Sequence, residues 1–167
     1  LGTTTEGNGG ADEFTIADSA ACGITIRSGT SSNGNLYFSD GTSGDDEYRG
    51  SIQYQHASNK LIIATNATEA LTINSSGQVG IGTDPARTFQ VFNGSANPQI
   101  NIKSTAGGTC EVQFGDTADE VRANIIYNST DNYLGFNGYN NTERLRIDSS
   151  GNMGLGGAPI APGHLTF

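Results

Sequence analysis

Tryptophan is absent from this 167-residue chain, methionine occurs once, cysteine twice and proline four times. The cysteines, Cys22 and Cys110, stand at unrelated points and make no disulfide framework, so both are read as free thiols. His56 and His164 have no partner at ligand spacing, which argues against a zinc cage and leaves no Ser–His–Asp order to defend. Basic residues are few: 8 Lys and Arg stand against 17 Asp and Glu, for a net charge of −9. That balance lacks the basic footprint needed for nucleic acid or an anionic membrane surface. No apolar run approaches the ~20 residues of a membrane span. Nor do apolar residues recur at helical spacing over three turns, so almost no helix is expected.

What the chain has in quantity is glycine, 24 residues, about double the usual ~7% share. Its apolar residues fall in alternating runs: Ile24/Ile26, Leu36/Phe38, Ile52/Tyr54, Leu61/Ile63, Leu71/Ile73 and Val79/Ile81, with counterparts further on. Alternation bounded by turn residues is the pattern of short half-buried strands, and the chain reads as all-β. Asn33-Gly34, Asp40-Gly41, Asn93-Gly94 and Asn137-Gly138 suit tight reversals. Ser75-Ser76-Gly77 and Ser149-Ser150-Gly151 read as hairpin loops with a left-handed glycine.

Those runs occur twice. ALTINSSGQVGIGTDP at 70–85 overlays RLRIDSSGNMGLGGAP at 144–159 with an offset of 74. Upstream, GITIRS at 23–28 meets QINIKS at 99–104 with an offset of 76, and Leu36, Phe38 and Asp40 meet Val112, Phe114 and Asp116. Between them the offset is 73, bringing Ile52, Tyr54, Leu61 and Ile63 onto Ile125, Tyr127, Leu134 and Phe136. The offset changes only in Gly/Ser/Asp/Asn-rich stretches, where turns tolerate insertion. This is the mark of tandem structural units. The expected division is a lead-in at 1–13, one unit at 14–85, a second at 86–159, and the start of another at 160–167. Phe14-Thr15-Ile16, Phe89-Gln90-Val91 and Leu165-Thr166-Phe167 are the matching opening pulses. With no initial Met and no signal-like stretch, the chain reads as an interior piece of a longer polypeptide.

Each unit of ~70 residues holds only about a dozen large apolar side chains, a marginal core for a lone domain. Without a disulfide framework or metal, oligomerisation remains as the stabilising device. Gly80, Gly82, Gly154 and Gly156 alternate with apolar residues and leave one strand face bare, which suits close approach of another backbone. They are the expected trimer contacts, the alternative being a Gly-rich edge strand exposed to solvent.

The string ADEFTIADSAACGITIRSGTSSNGNLYFSDGTSGDDEYRGSIQYQH, followed by LTINSSGQVGIGTDP, resembles tail fibre and tailspike-like proteins of bacteriophages, marine ones especially. In that family, units ending in VGIGT-P are strung along trimeric fibres, often upstream of a self-cleaving chaperone domain. The second unit departs from the pattern, with Gly157 where the Thr would stand. The resemblance implies a homotrimeric virion fibre, extracellular, in contact with other fibre proteins and a host-surface glycan or protein. It transfers no receptor and no catalytic residue.

Two constellations invite a site. Asp40, Asp45, Asp46 and Glu47, with Asp116 and Asp119 in the second unit, are candidate Ca²⁺ ligands, since that ion takes six to eight oxygens. Their spacing is not that of an EF-hand, and the alternative is a solvated turn facing Arg49 and Arg122. Loops that differ between units, 34–47 and 133–141, are candidate receptor contacts. There Tyr37, Tyr133, Asn137, Tyr139 and Asn140 offer rings and amides suited to sugars or protein loops, the alternative being that Tyr133 and Tyr139 cover a core edge. A glycosidase needs two carboxyls beside a sugar groove. Here the acids repeat with the fold and Trp is missing, so no catalytic residue and no cofactor are assigned. Five Asn-X-Ser/Thr sequons at Asn66, Asn74, Asn93, Asn128 and Asn140 follow from composition and receive no function.

The expectation is therefore an all-β chain of two tandem ~74-residue β-sandwich-like units of short antiparallel strands, in an elongated homotrimeric fibre. Its role would be structure and host recognition by multivalent binding. A fibre spacer without receptor contact and a polysaccharide depolymerase module are the alternatives.

Overall fold

The computed structural model describes residue 16 and residues 19–158. Two compact units divide the chain, Leu1–Gln99 and Ile100–Phe167. Among the described residues there is no α-helix, only 3-10 turns at Gly44–Tyr48 and Tyr139–Asn141. The first unit holds β1 (Asn33–Phe38), β2 (Gly50–Gln55), β3 (Lys60–Thr65), β4 (Thr68–Ile73), β5 (Val79–Ile81) and β6 (Phe89–Val91). They form one six-stranded sheet in sequence order, antiparallel except for the parallel pair β5–β6. The second unit holds β7 (Thr109–Asp116), β8 (Asp119–Asn128), β9 (Tyr133–Gly138), β10 (Thr142–Ile147) and β11 (Met153–Leu155). These make a five-stranded antiparallel sheet, also in sequence order. The expected all-β class is thus present as two sheets, one in each unit.

Register repeats along with sequence. In the first sheet Leu36, Ile52, Ile63, Leu71, Ile81 and Val91 lie side by side across all six strands. Tyr54, Leu61, Ile73, Val79 and Phe89 form a second row on the same face. The second sheet repeats both rows: Val112, Ile125, Phe136, Leu145, Leu155, and Cys110, Tyr127, Leu134, Ile147, Met153. Even the irregularity recurs. A bulge leaves Ala70 unpaired in β4 and Arg144 unpaired in β10. The freed carbonyl of each accepts the N–H of a glycine with positive φ, Gly82 or Gly156, at 2.9 Å. A bulge locally disrupts the ladder and bends its strand, and here the freed carbonyl holds the glycine at which β5 or β11 ends.

The Ser-Ser-Gly loops are hairpins as expected. Asn74 Oδ1 accepts from the N–H of Ser76 and Gln78, Asp148 Oδ1 does so from Ser150 and Asn152, and Gly77 and Gly151 have positive φ. The reversal expectation holds at Asp40-Gly41 and at Asn93-Gly94, where Asn93 Oδ1 accepts from the N–H of Ser95 and Ala96, and needs correction at the other two dipeptides. Asn33-Gly34 lies inside β1 and Asn137-Gly138 ends β9. Left-handed backbone falls instead on Asn59, Asn66, Ala67, Asn132, Asn140 and Asn141. Asn tolerates that region without a following glycine. At Asn59 and Asn132 the side chain also accepts a hydrogen bond from Tyr54 or Tyr127.

Two expected strands are missing. Residues 21–29 and 97–105 run without turn, bend or strand pairing. A strand needs a main-chain neighbour, and within the described chain neither segment has one. The boundary also differs. Phe89–Val91, expected to open the second unit at 86–159, is hydrogen-bonded to β5 and extends both apolar rows of the first sheet. Residues 14–15, Pro159, His164 and 165–167 lie outside the described residues.

Candidate functional site

The two faces of each sheet are unlike. Both apolar rows stand open, with Leu36, Ile52, Ile63, Ile81 and Phe89 exposed in the first unit and Val112, Ile125, Tyr127, Leu134 and Leu155 in the second. The opposite face is mostly polar and yet better covered. It carries Ile62 at 4% exposure, together with Ser51 and Thr72, and in the second sheet Asn124, all buried. Part of that cover comes from the VGIGTDP segment. A Cβ on Gly80 would stand 2.2 Å from the Thr83 carbonyl oxygen and 3.0 Å from Pro85 Cδ. The chain after β5 therefore folds back across β5, held by Asn74 Nδ2 donating to the Pro85 carbonyl and by a Lys60–Asp84 ion pair. Close backbone approach at Gly80 and Gly82, expected from a sister chain, is made by this chain's own Thr83 and Phe92 carbonyls. Gly154 is buried, while Gly156 has positive φ with open space around it.

On the polar face of the first sheet a cavity of about 210 Å³ is lined by Tyr37, Tyr48, Ser51, Gln53, Ile62, Ala64, Ala67 and Glu69. Pairing sets it: Tyr37 lies opposite Ser51, Ser51 opposite Ala64, and Ala64 opposite Glu69. The Tyr37 and Tyr48 rings stand 6.1 Å apart at 46°. Tyr48 donates its hydroxyl to Asp45 Oδ1 at 3.0 Å, which raises its pKa. Gln53 is fixed between Asn35 and Gln55 at 2.9 Å. The Glu69 carboxylate forms no hydrogen bond or ion pair within the described chain. Two rings with a free carboxylate make an amphipathic recess able to stack on and hydrogen-bond a small polyhydroxylated or amide group.

The second unit has no free acid at the matching place. Thr72 of the first unit corresponds to Arg146, whose guanidinium binds Glu143 at 2.6 Å and lies 3.7 Å above the Tyr133 ring. Glu143, the counterpart of Glu69, is thereby neutralised. Gln113, Ile126 and Asn137 stand for Tyr37, Gln53 and Ala64, and Asn124 Nδ2 donates to Glu111.

Of the five candidate receptor residues, Tyr37 lies in the first unit and the other four in the second. Tyr37 belongs to the cavity of the first unit. Asn137, Tyr139 and Asn140 lie where β9 runs into the 3-10 turn; there Arg122 lies 5.8 Å over the exposed Tyr139 ring and Asn137 donates to Asn141. Tyr133 sits at the other end of β9, about 14 Å from Asn137 at ~3.4 Å per residue. Tyr48 and Glu69 went unremarked in the sequence. Strict alternation would place Glu69 on the face of Leu71, and only the bulge at Ala70 carries it to the polar face opposite Ala64; Tyr48 sits in a 3-10 turn without periodic signal.

The acidic turns are ion-paired. Asp46 and Asp40 face Arg49, the latter at 3.6 Å, and Asp116 faces Arg122. Asp45 accepts from Tyr48, Asp119 caps Val121, and Glu47 is exposed. Among the described residues no three acids, His or Cys gather as a metal site. His56 packs edge-on against Tyr54 at 5.0 Å. No helix of the described residues is long and apolar enough to cross a membrane. No family model matches the chain, and no curated protein matches it in sequence.

Proposed function

We propose that this chain is a structural and host-recognition segment of a trimeric viral tail or surface fibre, elongated and extracellular, acting by multivalent binding and not by catalysis. The observation that carries the reading is the uncovered apolar face. A sheet becomes stable by burying one face against a second layer, and within each unit the described residues supply no such layer. The two apolar rows of each sheet contain no charged side chain, so the net charge of −9 lies elsewhere and does not oppose their meeting. Sister copies would supply the missing layer, giving a sandwich between chains instead of within one. Resemblance to phage fibres points the same way.

With the apolar faces turned inward, the polar faces are left to meet a host. There the Tyr37–Tyr48–Glu69 cavity of each copy supplies one weak contact, and three copies on a rigid body add avidity. The partner of that recess is a neutral surface glycan or a protein loop.

Light scattering on the purified chain tests the assembly, with a mass of three chains expected. Adsorption of the labelled assembly to host cells tests recognition, with Tyr37→Ala expected to reduce binding about tenfold or more through lost avidity. A stable monomer removes the fibre reading. A trimer that never adsorbs leaves only a spacer.

A further inference from the structure

We infer that residues 23–28 and 100–104 are strands whose partner is the main chain of a second copy, so that the assembly is stitched by intermolecular hydrogen bonds as well as by apolar faces. This rests on the self-association proposed above. The two segments hold the same place in the repeat and carry the same alternation, Ile24/Ile26 and Ile100/Ile102. Ile24 and Ile100 are 67% and 70% exposed. Neither stretch makes a backbone hydrogen bond within the described chain. Main-chain donors and acceptors are rarely left unpaired once buried, as these would be beneath a sister copy, and β-branched alternation is the composition of a paired strand.

Each segment is anchored beside the apolar face of its own sheet. Ile26 lines a groove of about 320 Å³ with Gly34, Leu36, Tyr54 and His56, and a Cβ on Gly34 would touch Ile26 Cγ2 at 3.5 Å. In the second unit Ile102 lines a groove of about 290 Å³ with Cys110, Tyr127 and Ser129, the residues in the same repeat positions. The unpaired main chain is therefore continuous with the face that sister copies cover. Arg27 and Lys103 also correspond, and neither has an ion pair in the described chain. A copy carrying net charge −9 supplies acids to meet them. Addition of an extended segment to another chain's strand is a general mode of main-chain recognition.

Amide hydrogen exchange on the full chain reads this directly. In the assembled form alternate amides within 23–28 and 100–104 are expected to exchange at least about tenfold more slowly than in a diluted, monomeric sample. Proline removes the donor, and strand geometry directs the N–H groups of adjacent residues to opposite sides. Of the paired variants Thr25→Pro/Asn101→Pro and Ile24→Pro/Ile100→Pro, one is expected to weaken assembly about tenfold more than the other. A trimer in which these amides exchange freely and both proline pairs assemble like the parent overturns the inference while leaving the fibre reading intact. Protection unchanged on dilution to monomer overturns it too, by locating the partner in the same chain. A chain that never associates removes both readings.

Discussion

At the residue scale, the VGIGTDP motif is explained by backbone approach. Gly80 is glycine because the Thr83 carbonyl occupies the space of a Cβ, and Gly82 because its φ of +70° and the nearby Phe92 carbonyl both exclude a side chain. Gly80→Ala must push backbone aside, so it should cost about 1–3 kcal/mol or more, in the range of overpacked cores. Gly157→Ala, with nothing within 4 Å, should be neutral in the same denaturant melt. Equal effects would remove the close-approach account. Sequence reading recognised that these glycines admit a backbone but assigned the wrong one, because a bare strand face does not specify which chain will cover it.

At the element scale, the two SSG hairpins share geometry and differ in chemistry. The first is closed by the Asn74 amide, the second by the Asp148 carboxylate, whose pKa is lowered by hydrogen bonds from the Asn152 side chain and backbone. Asp116, held by Arg122, and Glu111, held by Gln113 and Asn124, are lowered as well. All three lie in the second unit. A carboxylate with a depressed folded pKa contributes stability that is complete above its unfolded value. That contribution disappears as pH falls through the folded value. Below about pH 4, the ordinary carboxylate range, amide protection should therefore fall sooner in β7–β11 than in β1–β6. Asp148→Asn should blunt the difference. Simultaneous loss in both sheets would count against this asymmetry.

At the scale of the whole molecule, the question is what fills the second layer. A charge on the apolar face should be tolerated by a lone sheet and rejected by an assembly, since burying an unpaired carboxylate costs several kcal/mol. Ile52→Glu with Ile125→Glu is expected to reduce the scattering mass to one chain. Gln113→Glu, on the polar face, should leave the mass unchanged. If the doubly charged variant still assembles, the copies meet through some other surface.

The sequence by itself determined the strands from Leu36 onward, their alternation and the tandem repeat, because period-two burial and insertion-tolerant turns are written in neighbouring residues. It also showed how few large apolar side chains each unit holds. Only the tertiary structure decided that each unit is one sheet, that Phe89–Val91 joins the first of them in parallel, and that the acids of the turns answer to Arg49 and Arg122. It also decided that Glu69 is left free where Glu143 is paired. Those outcomes depend on which backbones and charges meet across distant parts of the chain. Local pattern fixes what a strand offers on each face, and three-dimensional register selects what receives it.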